Sequence, residues 1–455
     1  MPNRPLLILH GYSGKSTHLK ELSSFLKSTN RFKVIDIWLS DYVSMTDEVT
    51  INDLGQAMGK ALKDKKIPEK RHSFDAIVHS TGGLVIRQYL IHYFLGRPDK
   101  CPIRNLVMLA PANFGSHLAS LGKSMRGRLL QGWKWDGFME TGTRILDALE
   151  LGSPISWRMA EQDLFNPKNK IFTPKHLYTT ILVGTDVYTD LKKRILHENG
   201  SDGTVRASTA NLNVAYVKLI FRVPRGYQAI EQKRYFETIP FGVLYNQNHG
   251  SIIRPGEDDN VLKDLLIKSL SITNTSQYKE HIKRLNRITK ETFKEGLLNE
   301  EKQEKYHQYQ HVVTRVHDQF GEDIEDYFLE FFQEEEKVNS VMQKVHSEIL
   351  EKVHKYSNNK SYRSFLFDIT DMKKEILDKG KRVDMSLCAA ALSKRIYYHN
   401  PQDFLSVVSK YDKTLLKPNT TLLLDIELPR IQHESVFRFE KARTARKKHF
   451  SIPQS

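Results

Sequence analysis

Residues 74–95 read FDAIVHSTGGLVIRQYLIHYFL, and this stretch decides how the rest of the chain is taken. The apolar run up to Val78 has the length of a buried strand, and Gly82 opens a longer run of helical character. His79, Ser80 and Thr81 must therefore turn the chain sharply from strand to helix. Such a turn lifts its middle side chain clear of the sheet, and here that side chain is a serine hydroxyl. Small residues are wanted two places on either side so that strand and helix can pack. Gly82 meets this on one side; Val78 departs from it on the other. The plainer alternative is a serine that caps a helix after a buried strand.

Outward from this turn, short apolar runs alternate with amphipathic helical stretches. Strands are expected at residues 6–9, 33–38, 74–78, 106–109, 178–183 and 216–221, and helices at 16–27, 51–63 and 82–94. That alternation predicts a parallel sheet with helices on both faces. Residues 112–174 break the rhythm, with Trp133, Trp135, Phe138, Trp157, Met125, Met139 and Met159 among scattered glycines. A helical insertion, acting as a lid over the site, is expected there.

The opening LLILHGYSGKSTHLK, residues 6–20, contains Gly-Lys-Ser-Thr in the manner of a phosphate-binding loop. That motif needs a glycine five places before Gly14, where this chain has Leu9. Asp36, the nearby acid a nucleotide-bound magnesium would want, lies inside a strand rather than at its end. The stretch is better read as a strand running into a glycine turn.

With 455 residues, 39% apolar and 27% charged, the chain suits a large folded core under a polar surface. No apolar run approaches the roughly 18 residues that cross a bilayer, and no basic-then-apolar leader precedes the first strand. The expected location is cytoplasmic, with peripheral contact at membranes as an option. Cys101 and Cys388 have no metal-ligand spacing and read as reduced thiols. The net charge of +15 directs attention to anionic partners. No RNA-binding aromatic signature or finger motif is present, so nucleic acid is not expected.

The expected organisation is a catalytic unit at 1–274 with its lid at about 112–174, a charged helical linker at 275–309, and a mainly β, sandwich-like domain at 310–455 ending in the basic tail KARTARKKHF.

HGYSG at 10–14, VHSTGG at 78–83 and VMLAPANFGS at 107–116 together resemble α/β-hydrolases of the lipase type, including triacylglycerol lipases and inositol-deacylase-like lipases. The resemblance covers residues 5–255. It implies the α/β-hydrolase fold and carboxylic-ester hydrolysis by a serine triad. ENGSDGTVRASTANL resembles the loop that carries the triad acid in these lipases and points at Asp202. Asp186, directly after an apolar strand, is the competitor. His249, in the polar turn YNQNHGSIIRP before the closing helix, stands where a terminal triad histidine belongs. Ser80 would attack, His249 would carry the proton, and Asp202 would hold the imidazole. Backbone N–H groups of Thr81 and Tyr12 would receive the oxyanion. This chemistry calls for no metal or organic cofactor.

The expected substrate is a lipid or other acyl ester, with an anionic membrane surface met through the C-terminal domain and basic tail. A soluble esterase or thioesterase is the nearest alternative. A membrane- or protein-binding module with a secondary hydrolase domain is the alternative from another class. Oligomeric state is left open.

Overall fold

The computed structural model describes residues 4–10, 19–44, 46–119, 142–186, 198–221, 230–236, 238–299, 303–333, 340–381, 383–390, 396–398, 405–408, 415–433 and 436. Strands β1 (Pro5–His10), β2 (Lys33–Trp38), β3 (Phe74–His79), β4 (Ile103–Leu109) and β5 (Tyr178–Gly184) lie in one parallel sheet. β6 (Val214–Ile220) and β7 (Ile230–Phe236) leave it, and β8 (Phe241–Leu244) returns to complete the order β2-β1-β3-β4-β5-β8. The central strands are apolar on both faces because both faces are covered. Leu6, Leu7, Ile8, Ile77, Val107 and Leu182 are all fully buried. Helices α1 (Lys20–Ser28), α2 (Ile51–Asp64) and α3 (Gly82–Phe94) follow the first three strands.

The strand expected at 216–221 in this sheet belongs instead to a second one. There β6 pairs in parallel with β16 (Thr420–Leu428), Val214 being next to Thr421, and antiparallel with β7. β9 (Tyr309–Asp318), β11 (Leu350–Lys355) and β12 (Tyr362–Asp368) complete the order β11-β12-β9-β16-β6-β7. VAYVKLI is buried on both faces in either sheet, so its pattern does not name its partner. The place it leaves is taken by β8, whose four residues are too few to show a period.

This second sheet is a middle layer. Val313, Leu423, Tyr362 and Tyr216 on one face join the core of the parallel-sheet body. Val312, Phe365, Phe367, Leu422 and Leu424 on the other face pack against Leu329, Phe331, Val383 and Met385. Those last residues come from β10 (Tyr327–Phe332) and β13 (Val383–Ala389), which with β15 (Leu405–Val408) form a three-stranded sheet. The sandwich is present, and β6 and β7 extend it into the region before residue 274.

The described part of the 112–174 insertion and the expected linker can both be placed. α4 (Thr143–Leu149) and α5 (Pro154–Asp163) of the 112–174 insertion are packed core, with Trp157 set edge-on to Tyr216 and Tyr362 of the middle sheet. Met159 is buried beside it; Trp133, Trp135, Phe138, Met125 and Met139 lie outside the described residues. After α6 (Ala207–Ala210) and α7 (Asn260–Leu270), α8 (Thr275–Leu297) is not a solvated linker. It buries Tyr278, His281, Leu285 and Phe293. Thr289 accepts from Val243 N at 3.0 Å and Thr292 donates to Val243 O at 2.8 Å, so α8 satisfies the outer edge of β8. Its outward charges hide this inner stripe from a compositional reading.

Candidate active site

Ser80 stands where β3 ends and α3 begins, with φ at +53°. A non-glycine residue in this region costs about 1–3 kcal/mol and persists only where the surroundings enforce it. Here Ser80 N donates to Leu109 O at 3.1 Å, and Ser80 O accepts from Gly83 N at 3.0 Å and Ala112 N at 3.2 Å. The turn is thus pinned by the end of β4 and the segment after it. A Cβ on Gly83 would lie 2.6 Å from Pro111 Cβ, so the second glycine admits that segment against the helix. Val78 is tolerated because its neighbour is Gly82, where a Cβ would sit 3.2 Å from Val78 Cβ.

α3 is apolar nearly all round, as a helix buried between layers must be. Its one buried cation, Arg87, is fully enclosed and meets Asp163 through Nε–Oδ2 at 2.7 Å and Nη2–Oδ1 at 3.1 Å. Arg87 Nη1 also donates to Asn113 O at 3.0 Å. Burial pushes the Asp163 carboxyl up, and Arg87 opposes the shift. This pair fixes α3 to α5 and to the segment that buttresses Ser80.

His249 Nε2 is 3.0 Å from Ser80 Oγ, and His249 Nδ1 is 2.9 Å from Asp202 Oδ2. Proton chemistry fixes the tautomer: Nδ1–H donates to the carboxylate, leaving Nε2 to accept from the serine hydroxyl. Asp202 is fully buried. Its other oxygen, Oδ1, accepts from Thr204 N at 3.0 Å and Val205 N at 2.7 Å, and its backbone O accepts from His249 N at 2.9 Å. The carboxylate that meets the imidazole is therefore that of Asp202. Asp186 is placed at the end of β5, where its N–H donates to Gln247 O at 2.9 Å.

Thr81 follows Ser80 as the N-terminal cap of α3, where the helix dipole is positive. Tyr12 lies outside the described residues. His79 was not singled out by the sequence. Its Nε2 is 3.1 Å from His249 O, as a donor, and its ring lies 4.5 Å from the His249 ring at an angle of 44°. Only its place immediately before the serine could have flagged it.

The arrangement is an aligned hydroxyl, imidazole and buried carboxylate at the carboxyl end of a parallel sheet. It can generate a serine alkoxide equivalent at neutral pH without a metal. His307, Asp368 and Asp371 also come together, with His307 Nδ1 2.6 Å from Asp368 Oδ2. Asp368 caps the helix Ile369–Glu375, accepting from Asp371 N at 3.0 Å, and this structural role accounts for the cluster.

No protein-family model matches the sequence, and no curated protein matches it by sequence. Solved structures do. The phospholipase PlaB from Legionella pneumophila superposes with a TM-score of 0.81 at 27% identity, covering 98% of both chains. The same protein in complex with thio-NAD gives 0.81 at 26% identity over 97% of both. The lipase BlEst2 from Bacillus licheniformis, in mature form, gives a TM-score of 0.40 at 17% identity over 59% of this chain and 93% of that one. The match to PlaB runs through the parallel sheet and the sandwich alike. The chain is an α/β-hydrolase of the lipase type, a carboxylic-ester hydrolase by class.

Proposed function

We propose that this enzyme is a phospholipase-like lipid-ester hydrolase working through Ser80, His249 and Asp202 and an acyl-enzyme intermediate. The observation that carries the proposal is the continuous hydrogen-bonded relay from the hydroxyl to the buried carboxylate. The likeness to a phospholipase over nearly the whole chain supports the substrate class. In this reading Ser80 Oγ attacks the ester carbonyl as its proton passes to His249 Nε2. The imidazolium is stabilised by Asp202 Oδ2 and returns the proton to the leaving alcohol. Water then repeats the sequence to release the fatty acid. The Thr81 amide and the Tyr12 amide receive the oxyanion, each donor being worth about 3 kcal/mol in the barrier.

The net charge of +15 favours engagement of an anionic membrane surface. No helix among the described residues is long and apolar enough to cross a membrane. Contact would be peripheral, through the sandwich and the basic tail at 441–455; that tail lies outside the described residues.

The deciding experiment compares fatty-acid release from phospholipid vesicles, triacylglycerol emulsions and short soluble esters, with Ser80→Ala as the control. Phospholipid should be the fastest substrate and Ser80→Ala inactive on all three. Turnover of the soluble ester alone would replace the reading with that of an esterase. Sedimentation with anionic against zwitterionic liposomes tests the membrane surface, and equal binding to both would remove charge as its basis.

A further inference from the structure

Asp202 sits at the tip of a tight return in which Ser201 and Arg206 face each other as an antiparallel pair. At the base of this return lies a second carboxylate, Glu198, four residues before Asp202 as Arg206 is four after it. The Glu198 side chain is 14% exposed and Arg206 is 4% exposed, with Arg206 Nη2 2.5 Å from Oε2. His117 Nδ1 approaches the same oxygen at 3.4 Å, and Lys352 Nζ is bonded to Oε1. Burial opposes the charge on Glu198. Arg206, His117 and Lys352 outweigh it and hold the carboxyl below its usual range.

These partners come from three places: the acid's own loop, the segment after β4, and the edge strand β11 of the sandwich. β11 alternates, with Lys352 and His354 half-buried and Val353 exposed. His354 Nε2 is 2.8 Å from Glu150 Oε1, so the strand turns two side chains inward onto two carboxylates of the hydrolase body. The sandwich holds the same return in a second, apolar way. A Cβ on Gly200, at φ +68°, would lie 2.2 Å from the Tyr309 ring. Thr421 Oγ1 also donates to Ser208 O at 3.0 Å.

We infer that Glu198 is a positioning residue for Asp202, and that Lys352 extends the sandwich's hold to the catalytic acid. The inference rests on Ser80, His249 and Asp202 being the triad. Asp202 Oδ2 must lie within hydrogen-bond reach of His249 Nδ1, and a loop released at its base lets that bond lengthen. The imidazolium is then less stabilised. The change appears in turnover and in the pH profile and leaves substrate binding alone.

The test uses the full chain and a soluble p-nitrophenyl ester, with Lys352→Met, Lys352→Arg and Glu198→Gln. Lys352→Met should lower kcat about tenfold, in line with the sensitivity of catalysis to small remote displacements, with KM unchanged and the acid limb of kcat/KM moved to lower pH. Lys352→Arg should restore both, and Glu198→Gln should exceed Lys352→Met. Glu198→Gln strands the buried Arg206; if it fails to fold, the 40% exposed Lys352 decides the matter. A Lys352→Met enzyme with the wild-type kcat and acid limb overturns the inference, even if its melting point falls. Ser80→Ala run alongside separates the causes. If it is inactive while Lys352→Met is normal, positioning alone fails; if it is active, the triad reading fails and the inference with it.

Discussion

The two six-stranded sheets are built on different rules. The hydrolase sheet is wholly parallel, and its middle strands carry apolar residues on both faces because helices cover both. The middle sheet of the sandwich is parallel only at β9-β16-β6 and antiparallel toward its edges. One of its faces is mainly apolar, with Gln310 and Thr314 among Val312, Phe365, Phe367, Leu422 and Leu424. The other mixes Val313, Leu423 and Tyr216 with His311, Ser364, Thr421 and Asp425, all buried. His311 spans β16 and β12 through Nδ1 to Thr421 Oγ1 at 3.2 Å and Nε2 to Ser364 Oγ at 2.8 Å. The first sheet presents Ser80, the proposed nucleophile. The second supplies the floor on which the acid-bearing return rests.

The comparison breaks most visibly on truncation. Residues 1–274 alone lose β9, β12 and β16, which leaves β6 without its parallel partner and Gly200 without the Tyr309 ring. The fragment should be unfolded or aggregated by circular dichroism and protease digestion. A soluble, active fragment would show that the hydrolase half does not need the sandwich.

Within the hydrolase body, Arg87→Met leaves Asp163 buried without its cation. It should cost about 3–5 kcal/mol in urea unfolding, and the joint Arg87→Met, Asp163→Leu replacement should recover much of that. A loss below 1 kcal/mol would mean that α3 and α5 are held by apolar packing. At the seam between the two sheets, Gly200→Ala combines a left-handed backbone with overpacking against Tyr309. It should cost about 2–4 kcal/mol and lower kcat more than KM rises. Wild-type stability and turnover would show that the return is free to shift.

The smallest effect, taken per histidine and per pH unit, is in pH. Burial lowers His281 of α8 to about 4 and His311 of the middle sheet to about 3. Both are depressed below their unfolded value near 6.5, so the unfolded chain takes up protons that the folded one refuses. Stability should therefore fall as pH falls below 6.5, by about 1.4 kcal/mol per pH unit for each histidine. His281→Gln should remove its share of that slope while leaving His311's. A flat stability between pH 6.5 and 5 would contradict the burial of both.

Legibility in the sequence followed the range over which each signal acts. The strand-turn-helix at 74–94 is local, and its bounds and its strained serine follow from a few neighbouring residues. Ser80, Asp202 and His249 are legible from short local motifs and the lipase resemblance those carry, and the His249 ring lies within hydrogen-bond distance of both Ser80 and Asp202. Pairing is not local: VAYVKLI fits either sheet, and only the presence of β16 decides. β8 is short and is recognisable mainly by the threonines of α8 that cover its edge. Glu198 opens the stretch that carries Asp202, but Lys352 lies 154 residues away in an unremarkable strand, so nothing in the chain marks them as partners. Arg206 lies in the same loop as Asp202, and its role depends on burial against Glu198, which no local pattern encodes.

The most direct test of the central claim is covalent. A fluorophosphonate should phosphonylate one residue, with Ser80 Oγ displacing fluoride, and peptide mass mapping should place the adduct on Ser80. Labelling should be absent in Ser80→Ala and strongly slowed in His249→Asn, in parallel with loss of lipid hydrolysis. An adduct on another serine, or hydrolysis undiminished in Ser80→Ala, would contradict the account.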